Sequence, residues 1–341
     1  MIKKNTRIFN NIDLAELHVH VGGATDPALL WHLAHEQGIK LPTKDFWQFV
    51  KLFTINKKKI KWEDFHELFH WTELIQSSPQ AIERCIHELI SGAYRNCNIT
   101  LLELSFNPMF RNRGGERDLD HIIAAAIRGM EKALLEYPQV KAGLIFFLDR
   151  RLSVEKNEII VQKAIKYKHR GVVGIDLAGM TVAGRKLNYQ DYRDCYRFAK
   201  KNQLGTVVHA GEEEGINDIE KAIKYLNPQR IIHGIQAYQS PKLLAKIKER
   251  QITLAICPTS NLKIDIYQVD GFVHFRKIFK SFIKAGIKFC INTDDPEFFQ
   301  INLGQELTML LKHNVLTKKE ILAANKTAFN NSFIKLRGDE K

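Results

Sequence analysis

Eight short runs rich in β-branched and aromatic residues recur along this chain, each followed by enough sequence for a helix. They are Glu16–His20, Thr100–Phe106, Ala142–Leu148, Val172–Leu177, Thr206–His209, Arg230–His233, Thr253–Cys257 and Lys288–Asn292. The stretches between them, such as Ala81–Tyr94 and His121–Leu135, carry apolar residues at helical spacing. Strands that alternate with helices pair in parallel, because a crossover helix returns the chain to the same end of the sheet. Eight such units close a (β/α)8 TIM barrel, and a chain of 341 residues suits one barrel as a single domain over 1–341. The first gap, from about Gly22 to Ala81, is longer than a crossover needs. Within it Trp62–Ile75 reads as an extra helix, placed after the first strand as a lid over the barrel mouth.

The polar residues fall where such a barrel would use them. His18 and His20, His209, His233 and Asp294 each lie at or just past the C-terminal end of an expected strand. Barrel enzymes assemble their chemistry at that face, so residues distant in sequence converge there. Strand alternation puts His18 and His20 on one face. With a third imidazole from His209 and a carboxylate from Asp294, they make a zinc site with nitrogen and oxygen ligands. Asp294 and Asp295 are adjacent, so an extended backbone turns one to the metal and the other to water or substrate; the plainer reading is a capping Asp-Asp-Pro turn. Glu212 follows His209 across Ala210-Gly211 and is placed for acid–base work, whereas Glu213 and Glu214 read as the acidic start of a helix. One motif misleads. His66-Glu67-Leu68-Phe69-His70 matches the His-Glu-x-x-His helix of zinc proteases. Phe65, Leu68 and Phe69 make it an apolar stripe near Trp62, and no third ligand follows, so the segment is read as lid. Together the set describes a metal hydrolase.

Bulk properties narrow the alternatives. The composition, 45% hydrophobic and 26% charged, is that of a globular protein. No run of about 18 apolar residues is present, so no membrane span is expected. The opening Met1-Ile2-Lys3-Lys4-Asn5-Thr6-Arg7 has no apolar run behind it and does not read as a secretory signal, which makes the cytoplasm the expected location. Cys85, Cys97, Cys195, Cys257 and Cys290 lack paired spacing and fit buried thiols in a reducing compartment. The formal charge of +13 suits either anion attraction or solubility. The excess is spread out, with one local run at Lys57, Lys58, Lys59 and Lys61, and no nucleic-acid-binding motif accompanies it. Solubility is preferred, and neither nucleic acid nor membrane is expected as a partner.

Six segments in order carry a resemblance. Ala15-Glu16-Leu17-His18-Val19-His20, Gly174-Ile175-Asp176-Leu177-Ala178-Gly179, Val208-His209-Ala210-Gly211-Glu212, Ile232-His233-Gly234, Cys257-Pro258-Thr259-Ser260-Asn261 and Asn292-Thr293-Asp294-Asp295-Pro296 resemble the ordered signatures of the adenosine deaminase family. The resemblance implies a barrel holding one zinc per chain and hydrolytic loss of the 6-amino group from an adenine nucleoside or base. It implies His18, His20, His209 and Asp294 as metal ligands, and Glu212 as the residue that protonates or hydrogen-bonds purine N1. His233 would act on the attacking water, Asp295 would orient that water and meet N7, and the Gly179 backbone N–H would face N3. Phe65 and Phe69 look like part of the family's apolar gate.

The chemistry of the residues agrees. Zinc lowers the pKa of its water from about 15.7 to near 7. Attack at C6 pushes electron density onto N1, which then needs a proton, and Glu212 can give one only if burial raises its pKa. The zinc deaminases used in base editing need His-x-Glu and Pro-Cys-x-x-Cys, and no Cys-x-x-Cys occurs in this chain. Two departures bear on the substrate. After His20 the family usually has a leucine-like residue, an aspartate and a glycine; this chain has Val21-Gly22-Gly23. The aspartate is the family's contact to the ribose 5′-hydroxyl, so Gly22 implies a lost hydrogen bond and more room there. Adenine-specific relatives usually have glutamate at this place, so Gly22 does not indicate adenine. Ser105 stands where relatives commonly have arginine, which implies an altered supporting ion pair. The expected substrate is a small-molecule purine nucleoside, adenosine first, going to inosine plus ammonia. The alternative is a 5′-modified adenosine such as 5′-methylthioadenosine, or an N6-substituted AMP.

Overall fold

The computed structural model describes residues 9, 11–112, 118–182 and 186–334. Its strands are β1 (Leu14–His20), β2 (Ile99–Phe106), β3 (Lys141–Asp149), β4 (Val172–Ala178), β5 (Gly205–Ala210), β6 (Arg230–His233), β7 (Thr253–Ile256) and β8 (Phe289–Ile291). Each pairs in parallel with its neighbour in sequence, in the order β1 to β8, so the expected (β/α)8 barrel forms. The ring meets itself at its mouth. Val19 of β1 bridges in parallel to Asp294, just past β8, and the His20 N–H donates to the Asp294 carbonyl at 2.8 Å.

The strands are apolar on both faces because both are covered. Leu17, Leu101, Ile145, Val207, Ile232, Ala255 and Cys290 form a cluster of their own inside the barrel, apart from the larger strand–helix layer. The helices outside begin and end where the sequence offers caps. The helix Pro79–Cys97 starts on Ser78, whose Oγ accepts from the Ala81 N–H at 3.2 Å, and stops at Asn98 with φ +51°. All five cysteines are buried and free. Among the described residues no helix is long and apolar enough to cross a membrane.

Two findings refine the sequence expectations. The lid segment is two short helices, Trp62–Glu67 and Phe69–Ile75, meeting at Leu68, whose N–H bonds back three residues to Phe65 and tightens the turn. Its aromatic face packs on the turn after β8: Phe65 stacks on Phe299 at 5.9 Å and Phe69 meets Phe298 at 4.9 Å. Secondly, Glu103 finds its cation across the barrel. Arg230 Nη1 lies 2.6 Å from Glu103 Oε2, while the Glu103 Oε1 accepts from Ser332 and from the Phe333 N–H. Ser105 is buried, and its hydroxyl has no protein partner.

The Glu103–Arg230 pair is buried, so losing one member leaves the other charge stranded. Glu103→Ala should cost about 3–5 kcal/mol in urea unfolding. The double variant Glu103→Leu, Arg230→Met, which strands no charge, should recover most of that loss.

Candidate active site

Three strand ends bring four ligand-type side chains together at the mouth: His18 and His20 on β1, His209 on β5, and Asp294 after β8. Their donor atoms lie within 4.8 Å of one another. His18 Nε2 and His20 Nε2 stand 3.0 and 3.4 Å from Asp294 Oδ1. His209 is steered from behind, its Nδ1 3.0 Å from Asp176 Oδ2 on β4. That leaves Nε2 buried and without a hydrogen-bond partner. A buried acceptor left bare costs free energy, and a cation that takes its lone pair removes the cost. Three imidazole nitrogens and a carboxylate oxygen are the donor set of a divalent metal such as zinc, so the residues fit the group that the sequence implies. Burial lowers the pKa of His18, and that of His20 to about 4, which keeps both rings in the neutral form that binds metal.

Around this cluster lie the acid–base groups. Burial raises the Glu212 carboxyl to about 7, against the opposing charge of Arg150. Its Oε2 lies 2.7 Å from Arg150 Nη1, and its Oε1 accepts from the Tyr267 hydroxyl at 3.2 Å. The tight turn at Gly211 is held by Asp218, which accepts from the N–H groups of Gly211 and Glu212. His233 has φ +60°, and its Nδ1 meets Asn261 Nδ2 at 2.9 Å. An amide N–H only donates, so Nδ1 is the acceptor and the proton sits on Nε2, 3.8 Å from Asp294 Oδ2 and 3.9 Å from Glu212 Oε1.

Asp294 and Asp295 do not diverge as an extended pair would. Asp294 has φ +69°, a left-handed conformation uncommon outside glycine, and both carboxylates line the cavity. Both oxygens of Asp295 are buried without partners, and burial beside Asp294 pushes its pKa well up. Gly23 makes this possible, since a Cβ there would lie 1.9 Å from Asp295 Oδ1.

Phe65, Phe69 and Gly179 line the same cavity as the sequence implies, but the space at Gly22 is filled. A Cβ on Gly22 would meet the Phe69 ring at 2.9 Å and Arg111 Nη2 at 3.4 Å, so the lid takes the room that the missing side chain leaves. His66 borders the cavity with Nδ1 against the Trp62 carbonyl, while His70 is exposed. Among the described residues neither histidine belongs to a metal-type cluster. The cavity is about 50 Å³. That is below the roughly 300 Å³ of a typical small-molecule site, and Phe65 and Phe69 of the lid segment form part of its wall.

A family model described as adenosine deaminase matches residues 13–341. The chain belongs to the adenosine deaminase family. It is thus a hydrolytic deaminase of that type, acting on the C–N bond of a cyclic amidine. Adenosine deaminase of Vibrio vulnificus is 26% identical over 318 residues, covering 93% of each chain. An amidohydrolase of Burkholderia ambifaria, solved with bound Zn, superposes with a TM-score of 0.84 at 21% identity, covering 98% of this chain and 90% of its own. The N6-mAMP deaminase of Arabidopsis gives a TM-score of 0.81 at 23% identity, covering 96% of both chains.

Arg150, Tyr267, Asp176 and Asn261 are among the site residues that carry no role in the sequence reading. Asp176 had a signal, a lone carboxylate in the apolar run of β4, and Asn261 lies in a quoted family segment. Arg150 and Tyr267 had none beyond position.

Asp176 orients the ligand-type His209 without joining the cluster itself. Asp176→Asn should weaken zinc binding by about 10- to 100-fold with the fold intact, read by competition against a chelating dye.

Proposed function

We propose that this deaminase removes the 6-amino group of an adenine nucleoside, adenosine giving inosine and ammonia, with one zinc held by His18, His20, His209 and Asp294. The observation that carries this reading is Glu212. It is a buried carboxyl that holds its proton to about pH 7 in the same cavity as the four ligand-type residues. The reaction needs that combination: a nucleophile at C6 and, on the same face, an acid for N1. Zinc, when bound, supplies Lewis acidity that makes water a nucleophile near neutral pH.

The rest falls to the chain's own residues. Glu212 gives its proton to N1 as the oxygen of water adds to C6, and that proton stays as the N1–H of inosine. One proton of the water restores Glu212, and the other leaves with the amine as ammonia. The Nε2–H of His233 holds the incoming oxygen. N7 is an acceptor, so its contact to Asp295 uses the protonated carboxyl that burial favours. The Gly179 N–H faces N3, and the Phe65 and Phe69 rings that line the cavity with it shield a bound purine from bulk water.

At the ribose end, Glu73 lines the cavity and pairs with Arg111, the residue beside Gly22. Its carboxyl supplies an acceptor for a sugar hydroxyl in place of the family aspartate. That favours a nucleoside. One observation favours the second reading, an N6-substituted AMP: Arg151 lines the cavity with its side chain 36% exposed, although Asp149 already holds it at 2.8 Å.

Purified zinc-loaded enzyme should release ammonia from adenosine, and Glu212→Gln should lower kcat by about 10²–10⁴-fold. Because Glu212 works protonated and its pKa is about 7, kcat should fall as pH rises past that value. In a panel with 5′-methylthioadenosine and N6-methyl-AMP, either one outpacing adenosine would overturn the choice of substrate.

A further inference from the structure

We infer that Arg150 dictates which oxygen of Glu212 carries the proton, making it a positioning residue for proton delivery to the purine. This inference rests on the deaminase reading above. Arg150 follows β3, and its side chain is wholly buried. Its guanidinium makes three contacts inside the site: Nη1 to Glu212 Oε2 at 2.7 Å, Nη1 to the Gly179 carbonyl at 3.0 Å, and Nη2 to the His209 carbonyl at 2.7 Å. One planar group thus ties the acid for N1, the segment that faces N3 and the strand end that presents a metal ligand.

The consequence follows from what a guanidinium is. It has N–H donors and no acceptor, and it stays charged throughout the working pH range. Glu212 Oε2 must therefore accept, whatever the protonation state of the carboxyl. When Glu212 is neutral, a proton on Oε2 would weaken that charge-assisted bond, so the proton is favoured on Oε1, the oxygen that meets Tyr267 at 3.2 Å and faces His233. A carboxyl without this neighbour would share its proton between both oxygens, and the Oε2 form would aim it away from the substrate.

Arg150 also prepares the state after transfer. As the Oε1–H bond breaks, its electron pair stays on Oε1 and the proton goes to N1. The new carboxylate then has a fixed positive charge at Oε2 and a hydroxyl donor from Tyr267 at Oε1. The other groups that bear on Glu212 are Asp218 and Glu213, whose charges favour its neutral form, and His233. Tyr189 holds Asp218 at 2.6 Å and so steadies that influence. Burial and these acids push Glu212 toward the neutral form while Arg150 pulls the other way.

The test compares Arg150→Lys and Arg150→Met with the wild type, all zinc-loaded and checked for metal content and secondary structure. Lysine keeps the charge as a single point and loses the planar fork. It should lower kcat by about 10-fold or more, with KM moving less. Methionine removes the charge, so it should lower kcat by about 100-fold and move the alkaline limb of the kcat profile up by about one pH unit. A second readout needs no turnover: the infrared C=O band of neutral Glu212, identified by its loss in Glu212→Gln. Its titration should shift upward in Arg150→Met. A band that titrates as in the wild type overturns the inference, as does a lysine variant with wild-type kcat. Absence of ammonia from every purine tried, with the band still shifting, would instead count against the deaminase reading alone.

Discussion

The contact between Val19 and Asp294 joins the two ends of the sheet, and much of the site depends on it. Three of the four ligand-type residues flank this seam: His18 and His20 on one side, Asp294 on the other. The backbone bond from the His20 N–H to the Asp294 carbonyl, 2.8 Å long, sets the spacing of the two sides. The seam is short in conventional ladder hydrogen bonds, and Asp294 is held there in a left-handed conformation. Such a conformation persists only where the surroundings over-determine it. Here they include Glu16, which accepts from the Thr293 N–H and hydroxyl, and Asn292, which accepts from the Leu17 N–H. Joining the barrel and gathering the ligand-type residues are one structural event.

Burial is the second organising force. Inside the mouth it works on groups of both signs, keeping imidazoles neutral and carboxyls protonated, and each departure has a named partner. Asp294 is the instructive case. Burial alone would raise its pKa, yet the hydrogen bond from His18 holds it well below the usual carboxylate range. Its neighbour Asp295, equally buried but with both oxygens bare, goes the other way. Adjacent residues of one type thereby acquire opposite characters, one suited to holding a cation and one to holding a proton.

The sequence was most legible where the physics is local. β-branched runs marked all eight strands, and strand periodicity put His18 and His20 on one face. Metal chemistry restricts its ligands to few residue types, so those four positions stood out too. What depended on packing between distant segments did not. Gly22 looked like vacant space, but the Phe69 ring fills it. Arg150 and Arg151 are adjacent, yet one is fully enclosed and holds Glu212 while the other is partly solvated and holds Asp149. No local pattern distinguishes them; only the path of the chain after β3 does. The break of the lid at Leu68 was similarly invisible, since both halves share one apolar stripe.

The seat of the lid has a mechanical meaning. Phe65 and Phe69 rest on Phe298 and Phe299, in the turn that begins directly after Asp295. A gate hinged elsewhere could swing without disturbing the chemistry. This one is braced against the turn that follows Asp294 and Asp295, so its seat and their placement are mechanically joined. Any shift of the gate is therefore felt first at Asp294 and Asp295 beneath it.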